Sequence, residues 1–292
     1  MAFLHKAITS LADLGRWRGS MTFDELQRFI SVLSDKVSEP QTETPEVIAT
    51  FNTCIFECLG RCVDEVPAGA HLGRFANPVY REFVTLAEKR IAENLADPLN
   101  DMESSTQGEL LEYIVASLGD RKRMDYGTGH ELNFLCFLYC AVRVELLPLH
   151  GSLILLLFNS YIRLARRLQA TYQLEPAGSK GAWGLDDYQH LPFVFGAAQL
   201  QSSSIRPADV FDQEILKRCR TTHMYIDGIA VVLETKTGGH PAEMTPILFN
   251  VSQTVASWHK IRSGMTRMYI DEVLLKFPVA QHILFGSVFP FE

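Results

Sequence analysis

The sequence predicts an all-α protein, and three observations carry that prediction. Apolar residues recur at helical spacing along most of the 292 residues. Strand-like alternation is rare. A composition of 47% hydrophobic and 21% charged residues is that of an ordinary globular chain with enough apolar side chains for a large core. The first element is legible at 23–37, where Phe23, Leu26, Ile30 and Leu33 form one stripe with charges opposite. The stretch 44–66 repeats the pattern, with Thr44 placed to cap and Pro45 suited to a first helical turn. Further helices are predicted at 77–97, 107–118, 129–147, 151–173, 208–235 and 254–276. Two segments, 175–196 and 234–250, break the rhythm with Gly and Pro yet carry large aromatics, which disordered segments lack; both are expected to be ordered loops lining a site. No internal repeat or low-complexity linker divides the chain, so one domain is expected over 1–292.

Several classes are excluded by the bulk numbers. A net charge of −7 argues against a binder of duplex nucleic acid, which needs a basic face. His5, Lys6 and Asp13 interrupt the apolar residues of the N-terminal stretch, so no secretory segment is expected. The most apolar run, LILLLF at 153–158, is far short of the roughly 20 residues of a membrane span. A soluble, intracellular protein is expected. Cys54, Cys58 and Cys62 are spaced four apart, as are Cys136 and Cys140, with no CxxC pair; they suit buried free thiols better than a metal site or disulfides.

Chemistry-bearing residues concentrate in RMDYGTGHE, 123–131, at the mouth of an almost wholly apolar helix. Thr128 and Glu131 have the spacing of a capping box, which explains those two and leaves Arg123, Asp125, Tyr126 and His130 unexplained. A glycine-flanked helix N-terminus beside an arginine also suits an anion, and the spacing supports capping and anion binding equally. No phosphate-binding P-loop is present. In WGLDDYQHLPF, Asp186 and Asp187 suit either Mg²⁺ carried on a substrate's phosphates or a helix cap with one solvated carboxylate. Trp183 between two glycines is either a core plug or an exposed anchor. Lys236 beside consecutive glycines suits a phosphate contact or a helix C-terminus. Arg163, Arg166 and Arg167 share a helical face and are expected to be a solvated stripe. No catalytic triad is legible, and the scattered histidines are expected to be structural.

With these residues in hand, the chain resembles the phosphotyrosyl phosphatase activator family. The resemblance rests on FANPVYREF (75–83), RMDYGTGHE (123–131), YQLEPAGSKGAWGLDDYQHLPFVFG (172–196) and the stretch 256–291, and it runs in order from Phe3 to Phe291. It implies an all-α fold of core, linker and lid regions around a deep pocket. It implies an activator of the type 2A serine/threonine protein phosphatase that works on the catalytic subunit with ATP and Mg²⁺ as a chaperone-like factor, and peptidyl-prolyl cis-trans isomerase activity. A stand-alone prolyl isomerase is the alternative. By the same resemblance Arg123, Asp125, Tyr126, Gly127, Thr128, Gly129, His130 and Glu131 line the nucleotide pocket, with Lys236 and Gly238 approaching from the opposing segment. Asp125 and Glu131 would orient Arg123 or the ligand. Trp183, Asp186, Asp187 and Tyr188 form the peptide-facing catalytic surface, and Trp183, Tyr188 and Phe193 supply an apolar groove for a proline ring. The implied partners are the phosphatase catalytic subunit and proline-containing peptides, not nucleic acid or membrane. The protein would work in the cytoplasm or nucleus, as a monomer or a dimer formed on peptide binding. One departure stands out: where the family reads KTGPFAEHS, this chain reads KTGGHPAEMT (236–245), one residue longer and with Met244 in place of a histidine.

Overall fold

The computed structural model describes residues 3–40, 43–69, 73, 75–178, 184–236 and 239–292. As expected, the fold is all-α, with strands of two residues each. β1 (His5–Lys6) leads to α1 (Leu11–Arg18) and α2 (Met21–Ser38), capped by Ser10 and Ser20, whose hydroxyls accept the amides of Asp13 and Phe23. The α2 stripe of Phe23, Leu26, Ile30 and Leu33 is buried as its spacing predicts. α3 (Glu46–Asn52) continues through a wide π-type turn, Thr53–Glu57, into α4 (Cys58–Glu65). Thr44 does not cap α3. Pro45 occupies that place, and the Thr44 hydroxyl meets Ser152 instead, 3.0 Å away.

α5 (Tyr80–Leu99) and α6 (Ser104–Ala116) precede β2 (Asp125–Tyr126) and α7 (Thr128–Arg143), whose residues 131–141 are all buried. A second π-type turn, Leu153–Phe158, opens α8 (Asn159–Tyr172), followed by β3 (Glu175–Pro176) and α9 (Leu191–Gln199). Then come α10 (Gln213–Cys219), α11 (Met224–Thr235), α12 (Pro241–Met244), α13 (Pro246–Thr254), α14 (Trp258–Tyr269), the π-type turn Ile270–Leu274, α15 (Phe277–Ala280) and β4 (Leu284–Phe285).

Two corrections concern one predicted helix and one predicted loop. The helix predicted over 208–235 is two helices: at the break the Thr222 hydroxyl bonds the Cys219 carbonyl, and Gln199 Oε1 accepts the first amide of α11. The segment 234–250 is largely helical, in α12 and α13.

α9 is the hub, packed against α2, α11 and α14. Its LPFVFGAA run is buried all round, which explains its lack of an amphipathic pattern. Gly196 is required there, because a Cβ would lie 2.3 Å from the Tyr225 amide of α11. In the arginine stripe of α8, Arg163 and Arg167 are exposed as expected, Arg167 pairing with Asp64 of α4 at the surface, whereas Arg166 is drawn inward, where it pairs with Asp227 of α11 and donates to Gln189 Oε1. All six cysteines are free thiols, five of them buried. No helix among the described residues is long and apolar enough to cross a membrane.

The strands make two clasps that build the site. β2 runs parallel to β3, with Asp125 opposite Glu175. β1 runs antiparallel to β4, with Lys6 opposite Leu284, so the two ends of the chain meet.

Candidate functional site

A cavity of about 660 Å³ opens where these clasps meet the start of α7. One wall is the turn before β2. Gly119 enters it at φ +124°, a conformation suited to glycine, and a Cβ there would lie 2.5 Å from Tyr80 Oη. Asp120 Oδ1 then accepts the amides of Lys122 and Arg123 at 2.8 and 2.7 Å, closing the turn. Asp120 Oδ2 sits 3.1 Å from Arg123 Nη1. Asp125 takes the other side of the guanidinium, with Nε–Oδ2 at 2.7 Å and Nη2–Oδ1 at 3.2 Å. Arg123 is thus held as a rigid fork between two carboxylates. The bond to Asp125 raises the arginine further, against the cost of desolvation. Desolvation pushes the Asp120 carboxyl up, but the amides of Arg123 and Lys122 and the nearby guanidinium outweigh it and hold the group below the usual carboxylate range.

The second wall is the first turn of α7. Its cap is not Thr128. Gly127 precedes the helix, its carbonyl accepts the His130 amide at 2.9 Å, and its own amide donates to His130 Nδ1 at 3.2 Å. Thr128 is therefore the first helical residue and Glu131 is no partner in a capping box. A one-residue shift of register accounts for the miss: the histidine acceptor does what a Glu at the third helical position usually does. Helix geometry gives the Thr128 and Gly129 amides no intrahelical acceptor, and both residues line the cavity. Burial pushes the His130 ring down to about 4, with Asp125 and Asp120 acting in the opposite sense and Arg123 reinforcing the effect, so it is neutral at pH 7.

Three candidate residues of the motif, Tyr126, Gly127 and Glu131, stand behind the wall rather than on it. Tyr126 is fully buried; its hydroxyl lies 2.6 Å from that of Tyr161, which donates to the Ser117 carbonyl. Glu131 is also fully buried, and its carboxylate accepts the amides of His190 at 3.0 Å and Leu191 at 3.1 Å, tying the start of α7 to the start of α9. It does not orient Arg123. Burial pushes its carboxyl up to about 8, the two amides offsetting part of that cost.

Lys236 is not brought to Arg123. It ends α11 with its Nζ 3.6 Å from Asp187 Oδ2. Gly238 and Trp183 lie outside the described residues. Asp186 and Asp187 line a second, narrower cleft of about 170 Å³, which shares Thr128, Ala177, Gly178 and Val279 with the first cavity. Asp186 Oδ1 accepts the Tyr188 amide at 3.3 Å and caps no helix; His190 stands at the start of α9. Burial raises the Asp186 carboxyl above its ordinary value. The Tyr188 hydroxyl donates to the Leu174 carbonyl at 2.9 Å, and burial, with Asp187 and Asp186 nearby, pushes it up to about 12. Phe193 is fully buried against Tyr225 and forms no groove, because α9 is covered on every side.

The cavity also holds residues that local motifs do not announce: Lys6, Asp120, Lys276 and His282. Asp120 had a signal in its three-residue spacing from Arg123. Lys6 and His282 are separated by 276 positions, and only the strand pairing brings them together. Four formal cations (Lys6, Arg121, Arg123, Lys276) face two carboxylates (Asp120, Asp125), so this wall is net positive by two in a chain of net charge −7.

A family model described as phosphotyrosyl phosphate activator (PTPA) protein matches residues 4–291. The serine/threonine-protein phosphatase 2A activator of Drosophila melanogaster is 37% identical over 294 residues, covering 98% of this chain and 73% of that protein. The serine/threonine-protein phosphatase 2A activator 2 of Yarrowia lipolytica is 36% identical over 289 residues, covering 97% and 81%. The crystal structure of the PP2A phosphatase activator Ypa1 matches with a TM-score of 0.87 at 28% identity, over 100% of this chain and 96% of that one.

Proposed function

The chain belongs to the phosphotyrosyl phosphatase activator family, and from that premise we propose that it activates a type 2A serine/threonine protein phosphatase, holding ATP with Mg²⁺ in the 660 Å³ cavity as it engages the catalytic subunit. The observation that carries the nucleotide part is Arg123, fixed between Asp120 and Asp125 beside the open first turn of α7. The residues fit a polyphosphate. A net positive wall, a planar fork of fixed orientation and free helix-terminal amides are what phosphate oxygens need, and the volume lies within the roughly 300–1,000 Å³ usual for ligand sites. Bound there, the nucleotide would supply negative charge and a carrier for Mg²⁺. Arg123 would bind and orient phosphate oxygens, the Thr128 and Gly129 amides would take the charge at the helix N-terminus, and neutral His130 would hold the Gly127 amide so that this turn keeps its shape.

Prolyl isomerisation is the second activity of this reading, and the narrow cleft at Asp186 and Asp187, continuous with the cavity through shared wall residues, supports it. The reaction needs no nucleophile. Its barrier of roughly 18–20 kcal/mol is lost amide resonance, so a site need only bind the twisted imide better than either planar form. We place the protein in the cytoplasm, where its free cysteines suit a reducing compartment.

The test is reactivation of an inactive type 2A catalytic subunit with Mg²⁺, with and without ATP. ATP-dependent recovery in the wild type, reduced at least about tenfold in Arg123→Ala, is expected. Recovery independent of ATP and of Arg123 would remove the nucleotide from the proposal. No recovery by a folded protein would remove the activator function.

A further inference from the structure

Lys6 reaches the cavity from β1, in the sheet formed by the two ends of the chain. The strand is tied down on both sides: the amides of Phe3 and Leu4 donate to the Glu112 carboxylate at 2.9 and 2.8 Å, and Leu4 and Ile8 are buried. Its ammonium lies 3.1 Å from His282 Nδ1. At that distance the lysine donates and the imidazole accepts, so His282 is neutral and carries its proton on Nε2. Burial, with Lys6 and Arg123 close by, holds that ring below its ordinary value, while Asp125 and Asp120 act the other way.

The other cations of the wall do not share this situation. Arg123 is oriented by Asp120 and Asp125, whose carboxylates offset its charge, and Lys276 pairs with Glu272 at 2.9 Å. Arg121 is exposed to solvent, as Lys6 and His282 are, but among the described residues no side-chain hydrogen bond or ion pair orients it. Among the described residues no carboxylate lies within ion-pair distance of Lys6. Lys6 and His282 are both exposed, and the partner is a neutral ring, which orients the ammonium towards the cavity without cancelling its charge. That contact meets part of the side-chain entropy cost of ordering a lysine before any ligand arrives. An oriented, uncompensated ammonium favours an anionic ligand. It also stands on a different element from the Arg123 turn and the α7 terminus. A single phosphate concentrates its charge at one point of the wall, whereas a chain of three offers charge to cations on both elements.

We infer that Lys6, held in place by His282, is a specificity-determining residue that selects nucleotides with the longer phosphate chain. His282 acts through Lys6 and is a positioning residue. The inference rests on the nucleotide reading given above.

Calorimetric titration with ATP, ADP and AMP in the presence of Mg²⁺ tests it, with the thermal midpoint of each variant as a check on folding. Lys6→Met is expected to weaken ATP binding by about tenfold and AMP binding by no more than about twofold, since a charge-assisted contact is lost only where the ligand reaches it. Lys6→Arg should restore the preference. His282→Leu should reproduce Lys6→Met, whereas His282→Gln, which keeps an acceptor for the ammonium, should retain most of the ATP affinity. A wild type that binds ATP alongside a Lys6→Met variant that binds it equally well overturns the Lys6 assignment and leaves the nucleotide reading standing. Equal losses for ATP and AMP overturn the selectivity. A wild type that binds no nucleotide overturns both.

Discussion

Glu131 shows how a single residue of a polar motif can serve the fold rather than the ligand. Its carboxylate is sealed from water and meets two backbone amides but no cation within ion-pair distance among the described residues. The folded protein therefore binds this proton more tightly than the unfolded chain does, with a value near 8 against an ordinary 4.5. The stabilisation is complete below the unfolded value and is lost as pH rises from about 4.5 towards 8. Glu131→Gln removes the ionisation and keeps a carbonyl oxygen for the amides of His190 and Leu191. The variant is expected to lack that alkaline loss, gaining on the order of 3 kcal/mol over the wild type at pH 8 and little at pH 4.5. Urea unfolding of both proteins across this range measures it; parallel curves would mean that Glu131 is ionised throughout. Arg123 is the converse case, a residue that stood out in the sequence beside Asp125, while its second carboxylate, Asp120, emerges from the fold of the turn.

At the scale of elements, the sequence announced helices with one buried stripe, such as α2, and blurred those that are covered all round or that turn on side-chain hydrogen bonds. α9 has no apolar face because it has no polar one, and the break before α11 depends on Thr222 and on Gln199, which lies 25 positions from the amide it caps. The C-terminal segment was equally silent, since its anchor is Glu109 on α6. That carboxylate, 1% exposed, accepts the amides of Ser287, Val288 and Phe289 at 2.7, 3.0 and 3.1 Å and the Ser287 hydroxyl at 2.8 Å. Gly286 has no room for a Cβ, which would lie 2.3 Å from the carboxyl carbon. The anchor sets Phe289 against Trp17, Tyr113 and Tyr139 and fixes β4 just before it. Glu109→Ala strands the buried amide of Phe289 and the part-buried amides of Ser287 and Val288 and is expected to cost about 2 kcal/mol or more, and Glu109→Gln, with one acceptor oxygen left, about half as much. Chemical denaturation measures both. Equal stability of all three proteins would mean that the segment is held by its aromatic packing alone. Because β4 carries β1, Glu109→Ala should also weaken whatever the cavity binds.

For the molecule as a whole, the candidate site was half legible. The 123–131 stretch is contiguous and its ionisable groups are visible in order, whereas Lys6 and His282 join it only because the chain's ends pair, and the Asp186 cleft adjoins it only because Ala177 and Gly178 follow β3 past α7. That adjacency has an energetic consequence. Thr128, Ala177, Gly178 and Val279 face both the cavity and the cleft, so a ligand that fixes this shared wall from one side changes what the other side must reorganise to bind. Coupling of this kind is reciprocal: if ATP alters the affinity of a proline-containing peptide by some factor, the peptide alters ATP affinity by the same factor. A factor of about five or more is expected, within the usual range for coupled sites. It is measured by titrating peptide into the protein with and without saturating ATP, and ATP with and without saturating peptide. Ala177→Val should change the factor, because residue 177 belongs to both surfaces and its Cβ already lies 3.0 Å from the position a Gly127 Cβ would take. A factor of one in both directions would make the two hollows independent and would separate peptide binding from the nucleotide-dependent activation proposed above. Equal factors well above one would make the wall the element through which nucleotide and peptide act on a single function.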